Sequence, residues 1–483
     1  MAGSWRVKSV EQSIQETDEP GHRLKRDLRA WDLVVFGVGV IVGTGIFVLT
    51  GTEAANSAGP AVILSFLLAG ITCGLAALCY AELASTVPVA GSAYTFAYAT
   101  LGEVVAWIIG WDLLLELMLG AAVVARGWSA YLASLLDLPT WLAGDKARPD
   151  VAAIAIVLLL ALLLVRGSKT SSRFTGVLVV VKITVVLFVI VLGAMHINTA
   201  NYSPFIPASQ PATGASGGLL NQPIVQAFLG LEPTRFGGFG VVAAASVVFF
   251  AYIGFDIVAT TAEETKNPQR DMPRGILGSL AICTVLYMAV AAVITGMVPY
   301  RRLDTAAPLA EAFDAVGIGW ASRLIALGAV AGITSVILVL LLGQTRVLFA
   351  MSRDHLLPPR LARVHPRFGT PWLITVIVAG AVAVLAGFVP LDELSKLVSI
   401  GTLFAFVVVC LGVLVLRRTR PDLPRAFRTP GAPVVPILGV VACAWLMLNL
   451  PMLTWLRFLA WMVVGLGIYL AYGRRNSRLG VHG

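Results

Sequence analysis

The sequence predicts an all-α polytopic membrane protein of twelve spans, arranged as two five-helix halves of opposite orientation followed by two extra C-terminal helices. Three observations predict it. Of the 483 residues, 58% are hydrophobic and only 13% charged, with mean hydropathy +0.87, whereas soluble domains carry about 25% charge. The apolar residues gather into twelve segments, near 32–50, 58–86, 100–133, 151–166, 173–196, 240–262, 273–298, 318–351, 372–389, 394–417, 434–450 and 455–472, most of them long enough for the ~20 residues that cross a bilayer. The first and sixth segments are each interrupted by glycine at the same relative place, which is the sequence mark of an inverted-repeat transporter.

The elements follow in order. Residues 1–30 are polar and charged, with no apolar core or cleavage site, and read as a cytosolic N-terminal segment rather than a signal peptide. The first span carries Gly37-Val-Gly-Val-Ile-Val-Gly-Thr-Gly-Ile-Phe47. Glycine weakens a helix, and hydrocarbon offers no replacement for lost backbone hydrogen bonds. Broken backbone at membrane depth therefore belongs where it is buried in protein or lines a cavity. Spans one to five form the first repeat, 31–196, in which the fourth span is short. The outer loop, 197–239, is rich in Gly, Pro, Ser and Ala. Its Gly214-Ala-Ser-Gly-Gly218 matches a hydrolase nucleophile elbow in letters only, because no strand precedes it and no helix follows. The second repeat, 240–417, opens with Phe249-Phe-Ala-Tyr-Ile-Gly-Phe-Asp256, the counterpart of the first glycine run. Two further spans occupy 418–472, and 473–483 form a cytosolic tail.

Charge sets the orientation. With a cytosolic N-terminus and twelve spans, cytosolic segments hold 24 of the 35 Lys and Arg, outer loops hold eight and spans three. This positive-inside distribution puts both termini in the cytosol. It also makes the net charge of +9 a topology signal with affinity for anionic lipid, not a nucleic-acid footprint. The five cysteines all fall within spans and lack zinc spacing, so they read as packing residues.

Val38 to Gly51, with Gly43-Thr-Gly-Ile-Phe47, resembles the first helix of the amino acid–polyamine–organocation superfamily. Phe249 to Gly275 is similar to the sixth helix and following loop of its cationic amino acid transporter branch. Gly343-Gln-Thr-Arg346, Ala350-Met-Ser-Arg-Asp354 and Leu356-Leu-Pro358 resemble the end of the eighth helix there. The resemblance runs from about Leu28 to residue 470. It implies a LeuT-type fold, in which helices 1, 2, 6 and 7 move against helices 3, 4, 8 and 9. It also implies secondary active transport of L-amino acids, neutral ones in many bacterial members.

An amino acid presents a carboxylate and an ammonium about one residue apart. Half-helix N-termini offer bare N–H groups and half-helix C-termini bare carbonyls. Gly43, Thr44 and Gly45 are assigned to the carboxylate, through backbone N–H and the Thr44 hydroxyl. Carbonyls of Ile41, Phe250, Ala251 and Ile253 are assigned to the ammonium, an assignment the resemblance supports. Phe250 is also a candidate outer closure, with plain apolar packing the alternative.

Lys182 lies about nine residues into the fifth span, ~13 Å from its cytosolic end at 1.5 Å per residue. A charge at a helix centre costs about 3 kcal/mol on insertion scales, so Lys182 should face protein and find a partner. The resemblance implies that such a lysine replaces the sodium ion that bridges helices 1 and 8 in sodium-coupled relatives. It would donate to carbonyls near Gly37 to Val40 and release its proton as the bundle moves. The alternative is a lysine that permanently pins helix 5 to helix 1. Asp112 and Glu116 lie four apart, on one face of the third span. Glu116 and Asp256 join Lys182 as proton-coupling candidates, with capping of the second half-helix the other reading of Asp256. Arg126 and Arg346 are expected to snorkel or pair at a gate.

Taken together, the sequence predicts an importer of L-amino acids working by proton symport and alternating access in a bacterial plasma membrane. The rival reading is an exchanger or uniporter of Arg, Lys or ornithine, with a site acid such as Glu116 pairing the cationic side chain. No enzyme motif is present: there is no His-Glu-x-x-His and no aspartate pair of a protease signature in a span. No cofactor or metal is expected. The partners are substrate, proton and lipid, with a monomer expected and a small membrane accessory protein left open.

Overall fold

The computed structural model describes residues 27–87, 92–144, 146–167, 171–212 and 218–477. Most of the 1–30 segment, the Gly214–Gly218 match and the last residues of the 473–483 tail lie outside these. The main helices are α1 (Ala30–Ile41), α2 (Val62–Thr86), α3 (Ser92–Thr100), α4 (Glu103–Leu136), α5 (Val151–Arg166), α6 (Ser171–Ala194), α7 (Gly237–Val248), α8 (Phe255–Val258), α9 (Pro268–Met297), α10 (Pro308–Ala315), α11 (Gly319–Arg353), α12 (Trp372–Phe388), α13 (Leu391–Thr419), α14 (Val434–Leu448) and α15 (Met452–Ile468). One two-residue antiparallel pairing, Gln210–Pro211 with Thr234–Arg235, ties down the loop before α7.

Eight helical stretches among the described residues are long and apolar enough to cross a membrane, and four shorter apolar helices accompany them. The side chains on their outer surface fit hydrocarbon: Leu158, Leu159 and Leu162 on α5, Val177, Val180 and Val191 on α6, and Val463 and Val464 on α15 are all exposed. A soluble protein would not leave such a belt uncovered.

The interruptions expected from glycine occur in both places. Helix α1 ends at Ile41, Val42 is extended (φ −69°, ψ 98°), and helix resumes through 45–58 in mixed π and α turns. The sixth span runs as α7, then a tight 3-10 turn at Phe249–Tyr252. An extended Ile253 (ψ 135°) and Gly254 at φ +124° follow before α8 begins.

Packing divides the helices into two groups. Helix α9 lies along both α1 and α2, and α8 along α1, while α4 packs against α11 and α12 against α5 and α4. Helix α6 touches α11, α9 and α1, so it borders both groups. The breaks in the first group therefore face α4 and α11 in the second.

Candidate functional site

The two breaks meet. Where they face each other the structure encloses a cavity of about 20 Å³, lined by Val40, Ile41, Gly43, Thr44, Gly45, Val124, Phe250, Ala251, Ile253, Val336 and Leu340. All seven substrate-site residues expected from sequence lie on this one wall. The volume holds about one water molecule, so the site is closed in this conformation.

The local backbone explains what each break offers. The first amide after the first break to bond back into the helix is that of Ile46, to Gly43 O at 3.2 Å. The N–H groups of Gly43, Thr44 and Gly45 thus precede the first intrahelical bond and form a helix N-terminus suited to an anion. Gly45 is required by contact: a Cβ there would land on Cα and Cβ of Ala251. The Thr44 hydroxyl, expected to help with a carboxylate, turns to α4 and donates to Val124 O at 3.4 Å.

The carbonyl side holds a residue the sequence reading did not single out. Tyr287 on α9 places its hydroxyl 2.7 Å from Ile41 O and 2.8 Å from Ala251 O. One phenolic proton serves only one of these at a time, so the tyrosine spans both breaks and occupies two of the acceptors assigned to an ammonium. Phe250 O accepts from Ile253 N at 3.1 Å. A hydroxyl in an otherwise apolar stretch, Val285 to Val290, was the available signal, because a buried Tyr O–H finds a partner.

Lys182 is fully buried. Its Nζ donates to Gly39 O on α1 and to Ser335 Oγ on α11 at 3.1 Å, and Ser335 donates on to Gly332 O at 2.7 Å. The ammonium joins three helices, and its acceptor lies within the expected Gly37–Val40 stretch. Ser335 went unforeseen, since in the middle of α11 only Thr334 and Ser335 interrupt an apolar run, and two adjacent residues do not mark a face.

The acids sit apart from the cavity lining. Asp112 and Glu116 are buried on one face of α4, and none of their four carboxylate oxygens has a hydrogen-bond partner. The Thr402 hydroxyl lies beside Glu116 but donates to Val398 O. Asp256, a neighbour of Glu116, accepts from Gly254 N at 3.1 Å, as a residue that caps the second half-helix does. Among the described residues, no group of three or more His, Cys, Asp or Glu side chains is placed to hold a metal ion.

Arg126 finds a partner. It is buried, lies 3.7 Å from Asp150 and donates to Ala147 O at 3.1 Å. Asp150 also accepts from Ser129 and from Ala153 N. The arginine therefore ties α4 to the start of α5, which makes it a structural anchor. Arg346 is exposed.

A second, much larger cavity of about 1070 Å³ opens among the loops at 137–144, 304–307 and 390–392 and the adjoining parts of α4, α7 and the 45–58 stretch.

A family profile described as amino acid permease matches residues 28–468. The chain is 46% identical to a branched-chain amino acid permease of Bacillus subtilis, over 99% of this chain and all of that protein. It is 44% identical to a methylthioribose transporter of the same organism, over 94% of this chain and 95% of that one. Cationic amino acid transporter 1 of Arabidopsis thaliana is 40% identical over 82% of this chain and 64% of its own length.

Proposed function

The chain belongs to the amino acid permease family, and on that premise we propose that it is a proton-coupled symporter of L-amino acids with aliphatic side chains. In this reading it has twelve spans in a LeuT-type 5+5 arrangement with two extra helices. Both termini are cytosolic, in a bacterial plasma membrane, and the large cavity opens outward. Substrate binds where the two breaks face each other: its carboxylate at the N–H groups of Gly43, Thr44 and Gly45, its ammonium at the carbonyls of Ile41, Phe250, Ala251 and Ile253. Tyr287 holds the carbonyls of the empty site together and yields when the ammonium arrives.

The observation that carries the substrate class is the cavity lining. Val124, Ile253, Val336, Leu340 and Phe250 surround the space and no carboxylate does. An apolar wall accepts an aliphatic side chain and leaves a guanidinium or ammonium side chain unpaired, at a cost of several kcal/mol. The branched-chain permease among the relatives supports this reading. The cationic alternative would require Glu116 to reach the substrate, and Glu116 is not part of the lining.

Lys182 is the proposed coupling residue. While protonated it clamps α1 to α6 and α11. Loss of the proton releases Gly39 O and lets the first half-helix swing. Glu116 and Asp256 are the proposed relay acids, with the oxygens of Glu116 free to take a proton.

Proteoliposome uptake tests the proposal. An inward pH gradient should raise initial isoleucine uptake more than tenfold, and Lys182→Ala should remove that response. Uptake indifferent to the gradient, or a fully active Lys182→Ala, contradicts proton coupling. Arginine counterflow as fast as isoleucine counterflow would favour the cationic exchanger.

A further inference from the structure

The large cavity contains a buried acid that the reading above leaves unused. Glu53, which ends the Thr50–Glu53 turn within the 45–58 stretch, is 6% exposed, lines the cavity, and its Oε2 has no hydrogen-bond partner. A carboxylate oxygen out of bulk water without a donor is costly unless a ligand completes it. The other acids around the cavity are engaged or exposed: Asp304 accepts from Asn56 Nδ2 at 2.7 Å, Asp314 accepts from Ser322 at 2.7 Å, Glu311 lies against Thr305 and Ala307, and Asp392 faces water beside Lys396. Ser57 lies against the Glu53 carboxylate, and Asp392, Lys396 and Asp304 are the charges that act on it. Lys396 itself is three-quarters covered, and its partner Asp392 is 62% exposed. That pairing is a solvated i,i+4 contact worth a few tenths of a kcal/mol, so Lys396 is free to turn to another anion. Thr305 lines the same space, beside Glu311.

We propose that the large cavity is a second substrate site, in which Glu53 Oε2 takes the ammonium of an incoming zwitterionic amino acid and Lys396 takes its carboxylate. This rests on the aliphatic amino acid reading above. The two groups differ in sign, come from different helices and face one cavity, which suits a zwitterion better than a lone cation. Val48, Leu49, Val247 and Leu391 also line the space, but at about 1070 Å³ it is far wider than one side chain, so the site binds mainly backbone groups, with little side-chain selectivity and weaker affinity than the closed site.

The test is equilibrium binding of radiolabelled isoleucine to the full-length purified protein, at constant ionic strength held with choline chloride. Two phases are expected, together two molecules per chain. Glu53→Gln should weaken the second phase at least tenfold, Glu53→Asp should recover part of it, and the tight phase reports that each variant is folded. Gly45→Ala should remove the tight phase and leave the weak one. Labelled glycine should enter the weak phase about as well as isoleucine does. A single phase of one molecule per chain overturns the second site and leaves the central reading intact. A weak phase unchanged in Glu53→Gln overturns the assignment of Glu53. Replacing choline by sodium and losing the weak phase shows that the acid holds an inorganic cation, which overturns the zwitterion. No binding of any amino acid defeats the central reading and this proposal with it.

Discussion

The two helix breaks look alike in sequence and are built differently. In the first, no residue from Val42 to Gly45 takes a positive φ. Glycine is needed there because Gly45 passes against the backbone of Ala251, closer than any Cβ permits. In the second, Gly254 adopts φ +124°, a conformation that strains any L side chain. One glycine is a spacer between two segments of the chain and the other is a bend within one. The same residue type serves distance in one place and dihedral angle in the other.

That distinction can be broken by substitution. The largest effect is expected from Gly45→Ala. The new methyl meets backbone, which cannot rotate away, so the breaks are pushed apart. Isoleucine uptake should fall at least a hundredfold, with about 1–3 kcal/mol of overpacking strain visible as a lower Tm. Adding Ala251→Gly should restore uptake only in part, because Cα of residue 251 stays in the way. Gly254→Ala should come next, with a tenfold to hundredfold loss and about 1–3 kcal/mol of backbone strain. Its Cβ would also meet Val40 Cγ1 at 2.7 Å. Trimming with Val40→Ala should relieve that contact and leave most of the defect. Equal rescue in both pairs would show that the two glycines share one role.

Tyr287→Phe sharpens the comparison from the other side, since Tyr287 is the side chain that touches both breaks. Removing one hydroxyl should cost about 1 kcal/mol of stability and change KM for isoleucine several-fold, with little change in maximal rate. An effect confined to Tm would make the tyrosine a structural tie alone.

How much of this was legible beforehand follows from the same physics. A weak helix in hydrocarbon stands out in any sequence, so both breaks were found, and with them seven of the eleven residues that line the cavity. A lone lysine in an apolar span stands out too, and its acceptor fell within the four residues expected. The partners across helices did not show. Whether Tyr287 or Ser335 meets its partner, and whether Val336 or Leu340 faces the cavity, depends on helix rotation, and spans that are mostly apolar on every side carry little periodicity to report it. The partner of Arg126 was hidden for that reason: Asp150 is 24 residues away in sequence, across a loop whose path the sequence does not reveal. The roles of the two glycines were hidden as well, because a spacer and a positive φ use the same letter.

The most direct test of the central claim, that aliphatic amino acids bind where the breaks meet, is thermal unfolding of the purified protein with a panel of amino acids. A ligand at a hundred times its Kd stabilises by about 2.7 kcal/mol, enough to move Tm by a few degrees. Isoleucine, leucine and valine should each raise the Tm of the wild type, arginine and lysine should not, and Gly45→Ala should respond to none of them at concentrations that saturate the tight site. Stabilisation of the wild type by arginine without a branched-chain response, or a Gly45→Ala protein that responds like the wild type, would contradict it.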